Sequence, residues 1–400
     1  MRTVHTDVLI IGTGFGAAAP ALRLAEAGAK VVMVEKGPQV QTADFRQTSD
    51  PQYLLKYIKG TPGDHLSLTY AEALGGGSGF YEMVSLRAPS LVFDQVDAQG
   101  RRLWPRGLDR RVLDPYYDVA ERMLHVSQIP LAEVPRTGLV FARLMKNLGY
   151  SVDRARYAVR GCQGSGFCVT GCIYGAKQSL FLNYLPQAVA AGAEIETDLE
   201  ALSIESLPGV HRGRARLLAN LPYRYQVLCR RRAGEREQVR FVARLVVLGA
   251  GTVGSATLLL RSRATLPLSS EHVGRNIAYN GSVKVAGLLP DSFPDADMFT
   301  GRSHPGMISY EFLDKSLAPE AGVHFSTAHQ VGSCRMADAQ SAGVVNANGE
   351  VFGCPGLYVS DGACIPSSLA VNTSLTILAN AERIAAGMLD QYGLRRPVAA

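Results

Sequence analysis

VLIIGTGFGAAAPALRLAEAGAKVVMVEKG, residues Val8–Gly37, decides how this chain folds. Val8-Leu9-Ile10-Ile11 has the length and branched apolar content of a buried parallel strand. Gly12, Gly14 and Gly16 follow at once, with Ala17 in the last position of a G-x-G-x-x-G/A pattern. A helical stretch then puts Phe15, Ala18, Leu22 and Ala25 on one face, and Gly28 is placed to stop it. Pro20 removes one internal hydrogen bond close to the helix start, which predicts a bend, not a break. A second apolar strand, Val31–Val34, ends in Glu35, 23 positions after Gly12. Strand, glycines, helix, strand and acid in that order meet the structural condition for a dinucleotide site. Gly12 permits the tight turn, and Gly14 lets the backbone approach a pyrophosphate resting on the helix N-terminus. Glu35 suits ribose hydroxyls and disfavours a 2′-phosphate.

Outside this unit, 400 residues hold two or three domains' worth of core. A composition 47% hydrophobic and 19% charged excludes a disordered chain. No run of 18 apolar residues predicts a membrane span, and the N-terminal apolar run is already taken by the first strand, so a cytoplasmic location is the expectation. The net charge of +6 is partly local, at Arg230-Arg231-Arg232, Arg236 and Arg240. Without interleaved aromatic residues or a nucleic-acid motif, that stretch reads as a solvated edge and not as a nucleic-acid surface. Seven cysteines, an odd number, argue for free thiols.

Further along, Gly75-Gly76-Gly77-Ser78 leaves little side chain and predicts close backbone approach to a ligand. A helix is expected to end near Val126, another over Ser179–Ala191, and a strand meander over Glu194–Leu248. Val246-Val247-Leu248, Gly249-Ala250-Gly251 and a helix over Val253–Arg261 make a second strand–glycine–helix unit. Near the end come His329, the strand Leu357–Val359, Asp361-Gly362, Asn372 and a helix from about Thr376 to Leu389. That helix N-terminus, beside Asn372 and Ser374, is a place where backbone N–H groups meet an electron-rich atom.

Together these pieces resemble the glucose-methanol-choline (GMC) flavin oxidoreductases, and within them the cholesterol-oxidase-like branch. The matching stretches are IIGTGFGAAAPALRLAEAG, LGGGS, WP followed by PYY, GAKQS, VVLGAGTVGSATLLLRS, H-x-x-G-x-C-R-M at His329 and GLYVSDGACIPSSLAVNTSLTI. They keep the family's order over roughly three quarters of the chain. The resemblance implies an α/β fold, with a Rossmann-like FAD-binding domain of the GMC type and a small, discontinuous α+β substrate or cap domain. It places the FAD domain in residues 1–100, 186–281 and 324–400, and the cap in 101–185 and 282–323. It implies FAD bound by Gly12, Gly14, Phe15, Gly16, Glu35, Lys36, Gly76, Gly77, Ser78, Ala250, Gly251, Asp361, Gly362, Asn372, Thr373 and Ser374. The catalytic pair maps to His329 and Asn372. Oxidising an alcohol requires removal of the hydroxyl proton as hydride leaves the same carbon, and an imidazole titrating near neutrality suits that task. A neutral amide orients the substrate oxygen without adding a competing base.

Departures from the family pattern shape the expectations. Asn372-Thr373 stands where relatives have Asn-Pro, and Tyr81 stands near a position where they often carry Asn. Only about 50 residues separate the Gly281 region from His329, fewer than the family's substrate domain uses. That predicts a site that is unusually open, lined by a partner subunit or oligomer mate, or built for a large or tethered substrate. Cys162, Cys168 and Cys172 read as a thiol-bearing loop without metal, an iron–sulfur cluster as in some family dehydrogenases being the alternative. The function implied is FAD-dependent oxidation of a small-molecule alcohol, sugar or sterol-like CH–OH group, with dioxygen, a quinone or a protein as electron acceptor. Its rivals are an FAD-binding scaffold that has lost alcohol oxidation, an electron-transferring dehydrogenase subunit, and an NAD-dependent dehydrogenase. The motif at Asp361 disfavours the last.

Overall fold

A computed structural model describes residues 1–63, 66–208, 217–234, 237–280, 306–311 and 325–394. Most of the 282–323 segment and Arg236 lie outside them. Along the chain run β1 (Arg2–Ile11), α1 (Phe15–Glu26), β2 (Val31–Val34), α2 (Pro51–Leu54), β3 (Ile58–Thr61) and β4 (Leu66–Ala71). Next come α3 (Arg110–Met123), β5 (Val126–Gln128), α4 (Arg136–Asn147), β6 (Asp153–Arg154) and β7 (Arg156–Ala158). A third run is α5 (Tyr184–Ala190), β8 (Glu194–Glu196), β9 (Leu199–Ser206), β10 (Tyr225–Arg231), β11 (Gln238–Leu248) and α6 (Gly251–Arg261). β12 (Met307–Ile308), β13 (Phe325–Thr327), β14 (Leu357–Val359) and α7 (Ser374–Gln391) follow.

The apolar runs read from the sequence become neighbours. β8, β2, β1, β11 and β14 lie side by side and parallel. Val8–Ile11 and Leu245–Leu248 sit in register at the centre and are buried. Covered on both faces, such strands have no polar side to alternate, and each large apolar side chain contributes about 1.5–3 kcal/mol. β11 changes partner along its length. Its first half pairs antiparallel with β10, which continues to β9, and its last three residues pair with β14.

α1 packs against α5 and α7, and α3 packs on α7. Glu382 of α7 joins the first group: it accepts from Arg23 Nε (2.8 Å) and Nη2 (2.9 Å) of α1 and from the Tyr184 hydroxyl (2.8 Å) of α5. Its carboxylate is buried, so removing one partner of that ion pair would cost about 3–5 kcal/mol. α1 runs unbroken through Pro20.

Local capping accounts for the shifted helix boundaries. The expected helix over Ser179–Ala191 divides into a 3₁₀ turn at Leu180–Leu182 and α5, because the Asn183 side chain accepts from Tyr184 N (2.7 Å) and restarts the helix. α3 stops at Met123, and Val126 opens β5. In the basic stretch, Arg230 pairs with Glu200, Arg231 with Glu196 and Glu237, and Arg232 with Glu72. Among the described residues no helix is long and apolar enough to cross a membrane.

Candidate active site

Because β1 and β11 end level, the two glycine turns lie against each other. Gly12 has φ +98°, and a Cβ there would stand 2.3 Å from the Gly249 carbonyl oxygen. A Cβ on Gly249 would in turn meet the Ala17 methyl at 2.6 Å. The small residues of both fingerprints are therefore required by their mutual packing.

α1 begins at this junction with Gly14 as its N-cap. It has no capping side chain and no acid in its first turn. Beside it, Glu35 accepts from Thr13 N (3.1 Å) and Thr13 Oγ1 (2.7 Å) on one oxygen and from Gly37 N (2.8 Å) on the other. Three of about four acceptor directions are filled, leaving one for a ribose hydroxyl. Burial pushes the Glu35 carboxyl up to about 7, against the pull of those donors. Thr13, which the motif reading passed over, also accepts from Gly75 N (2.9 Å) and so ties the fingerprint to the Gly75–Gly77 turn. A hydroxyl inside the glycine pattern was its only sequence signal. The Lys36 amine pairs with Glu72.

α6 also begins without a cap of its own, yet its N-terminus is closed. Asp361 Oδ2 accepts from Gly251 N (2.8 Å) and Ser255 Oγ (2.6 Å), and Oδ1 accepts from Ala363 N (2.8 Å). Burial raises this carboxyl to about 6. Gly16 lies directly on Asp361, whose Cα would be 2.4 Å from a Cβ at that position. Asp361 therefore touches the start of α1 with its backbone and holds the start of α6 with its carboxylate. Gly362, next in line, is within 2.8 Å of the Thr252 hydroxyl by the same measure.

Gly76 stands against Gly14, with a built Cβ 3.0 Å from the Gly14 Cα, while one at Gly77 meets nothing within 4 Å. Ser78 points inward: its hydroxyl donates to Gly75 O (2.7 Å) and accepts from Leu180 N (3.0 Å). Phe15 packs edge-on against Tyr81, ring centres 5.3 Å apart, and the Tyr81 hydroxyl donates to Gln178 O (3.0 Å).

His329 and Asn372 form a pair of their own. Asn372 Nδ2 lies 3.1 Å from His329 Nε2, and His329 N donates to Thr327 Oγ1 (3.0 Å). Burial lowers the His329 pKa below its ordinary value, and the Glu82 charge opposes that shift. A neutral ring accepting from Asn372 at Nε2 carries its proton on Nδ1. Glu82 had no sequence signal. Thr373 N-caps α7, which again has no capping side chain and no acid in its first turn.

Cys162, Cys168 and Cys172 are in no disulfide and line one cavity with Lys177. The buried Lys177 amine donates to Gly79 O (2.7 Å) and Cys168 O (2.5 Å), fastening this loop to the glycine turn, and burial lowers its pKa to about 8. Among the described residues no three Cys, His, Asp or Glu side chains are grouped to hold a metal ion.

These residues fit a flavin dinucleotide. Two long helices, α1 and α7, present uncapped N-termini, and Glu35 keeps one acceptor direction. Gly14, Gly77, Ala250, Gly251, His329, Asn372 and Ser374 retain exposure, while Gly12, Ser78, Gly249 and Asp361 beside them are buried.

Family profiles described as GMC oxidoreductase match residues 7–280 and 303–381. An uncharacterised GMC-type oxidoreductase of Mycobacterium tuberculosis is 31% identical over 295 residues, 72% of this chain and 43% of that protein. A cholesterol oxidase of the same species is 30% identical over 358 residues, 80% of this chain and 57% of that protein. The chain thus spans about half the length of these curated relatives. Among solved structures, an FAD-dependent oxidoreductase from Chaetomium thermophilum superposes with a TM-score of 0.68 at 14% identity, covering 98% of this chain and 100% of that one.

Proposed function

The chain belongs to the GMC oxidoreductase family, with FAD as cofactor, and from that premise we propose that it oxidises a CH–OH group of a small-molecule alcohol, sugar or sterol. The observation that carries this reading is the His329–Asn372 pair, whose side chains lie 3.1 Å apart. Bound FAD supplies the hydride acceptor. A hydroxyl oxygen entering between the two side chains accepts from Asn372 Nδ2 and donates its proton to His329 Nε2, replacing the direct bond. Burial keeps His329 neutral and ready to accept at neutral pH. Asn372 would hold that oxygen in place while His329 takes its proton. Glu35 accepts from the adenosine ribose, and the α1 N-terminus faces the pyrophosphate.

The cofactor domain in this reading comprises residues 1–100, 186–281 and 324–400, with the cap in 101–185 and 282–323. The short span between Gly281 and His329 supports an open site or one completed by a partner subunit.

The deciding experiment is an anaerobic screen of alcohols, sugars and sterols for bleaching of the flavin, followed by reoxidation with dioxygen, a quinone or a protein acceptor. At least one class bleaches the wild type. His329→Ala keeps its yellow colour and loses about 10²–10⁴-fold in reduction rate. A panel that leaves the wild-type flavin oxidised overturns the reading and favours an FAD-binding scaffold.

A further inference from the structure

Asn372 belongs to residues 365–373, a stretch in neither helix nor strand. Among the described residues, no main-chain hydrogen bond ties 366–372 to a neighbouring element. Ala370 stands in the left-handed region at φ +59°, which a residue with a Cβ enters only where its surroundings hold it. Thr373 follows Asn372 and, unlike a proline, has no ring to fix its φ. Such a stretch does not by itself keep one carboxamide within hydrogen-bonding distance of His329. Two side chains from residues 101–185 grip it, one five residues before Asn372 and one four residues after. Trp104 Nε1 donates to Ser367 Oγ (2.9 Å), and the Tyr117 hydroxyl shares a hydrogen bond with Thr376 Oγ1 (2.7 Å). All four side chains are buried. The two holders are themselves fixed. Trp104 packs on Phe93, ring centres 4.6 Å apart. Tyr117 has the Arg87 and Arg110 guanidinium groups each 5.4 Å from its ring centre, and its oxygen accepts from Ala88 N (3.2 Å). Asp114 pairs with both arginines, and Asp118 and Glu121 pair with Arg87.

We propose that Trp104 and Tyr117 are positioning residues: acting through Ser367 and Thr376, they clamp both ends of this stretch and hold the Asn372 carboxamide against His329. Their effect on rate rests on the oxidation reading above. Their effect on the pair does not, since the His329–Asn372 bond is present without substrate. A donor on Nε2 favours the neutral ring, so losing it moves the His329 titration upward. Burial, which lowers that titration, and the Glu82 charge, which raises it, stay in place when the clamp is loosened.

The test follows His329 in the oxidised holoenzyme by NMR of ring-labelled histidine, with His329→Ala assigning the signal. Asn372→Ala sets the scale, a titration midpoint higher by about half a pH unit or more. Tyr117→Phe, Thr376→Val and Ser367→Ala each shift the midpoint the same way. Thr376→Ser, which keeps the hydroxyl, holds the wild-type value. Tyr225→Phe is the control: it removes the hydroxyl of another buried tyrosine, which donates to Pro355 O (2.9 Å), and leaves the midpoint unchanged. With any alcohol that bleaches the flavin, the three clamp variants reduce it about tenfold more slowly at saturation, and the half-saturating concentration stays within about twofold of wild type. Should Tyr117→Phe fail to fold, Thr376→Val and Ser367→Ala decide, since each changes few atoms. The proposal is overturned if these variants keep the wild-type midpoint, whatever their melting temperature, or if Tyr225→Phe shifts it equally. A panel in which no alcohol bleaches the flavin removes the oxidation reading alone, because the midpoint needs no turnover.

Discussion

The two strand–glycine–helix units share one local grammar and solve one problem in opposite ways. β1 with α1 and β11 with α6 are parallel neighbours, each turning through glycine into a helix that lacks its own cap. At α6 the exposed N–H groups receive a carboxylate from within the protein, Asp361, which arrives from 110 residues further along. At α1 no acid arrives, and Glu35 stops alongside, engaged by Thr13 and Gly37. A glycine-rich turn is thus a way to pack strand, helix and strand closely. It becomes a place for an external anion only where the protein withholds its own.

Gly16→Ala attacks both units together and carries the largest effect. Its Cβ would fall 2.4 Å from the Asp361 Cα, so either α1 or the segment bearing Asp361 must move. We expect a loss of about 4 kcal/mol in a urea titration, among the larger single-residue effects. Wild-type stability would show the two glycine turns to be looser than drawn.

Asp361→Ala strips the closed end alone. Two backbone N–H groups and the Ser255 hydroxyl lose their acceptor, at about 3 kcal/mol. The same variant sharpens the pH profile. Both buried carboxyls titrate higher in the folded protein than their ordinary values, 3.8 for Asp361 against about 6 and 4.5 for Glu35 against about 7. Between those limits the folded state binds more protons than the unfolded one, so FAD-free protein loses stability as pH rises from about 4 to about 7 and levels off above. In Asp361→Ala the Glu35 contribution remains, and the fall between about pH 4 and 6 becomes shallower. An unchanged profile in thermal melts across that range would remove Asp361 from the account.

Gly14→Ala touches only the open end and has the smallest effect on folding. Its Cβ would sit 4.0 Å from the Gly76 Cα, an ordinary contact, so stability should stay within about 0.5 kcal/mol. FAD affinity, in contrast, should fall about tenfold or more, because the added methyl stands at the uncapped N-terminus. Unchanged affinity would mean that the cofactor does not approach α1 there.

Much of this was legible in the sequence because it is local. Val8–Ile11 reads as a buried strand from its own composition, and Gly12 announces its turn. His329 and Asn372 were identified from the family's motifs, and the fold brings them within hydrogen-bonding distance. What the sequence hid depends on residues far apart. Nothing near Asp361 says that its carboxylate reaches Gly251, or that Ser78, inside a promising glycine run, turns inward to hold Leu180. That Lys36, assigned to the cofactor by the resemblance, pairs with Glu72 was likewise hidden. Thr13 and Glu82 matter through neighbours that no spacing rule reveals.

The distant origin of the acid at α6 also sets a timetable. On a ribosome adding about 5–20 residues per second, the interval between synthesis of Gly251 and of Asp361 is roughly 5–20 s. Until the later residue emerges, β11 lacks its neighbour β14 and α6 begins with its amide hydrogens unanswered. Until β14 and Asp361 are made, the last three residues of β11 keep an unpaired edge, and a chaperone that shelters them during those seconds has a defined strip to cover.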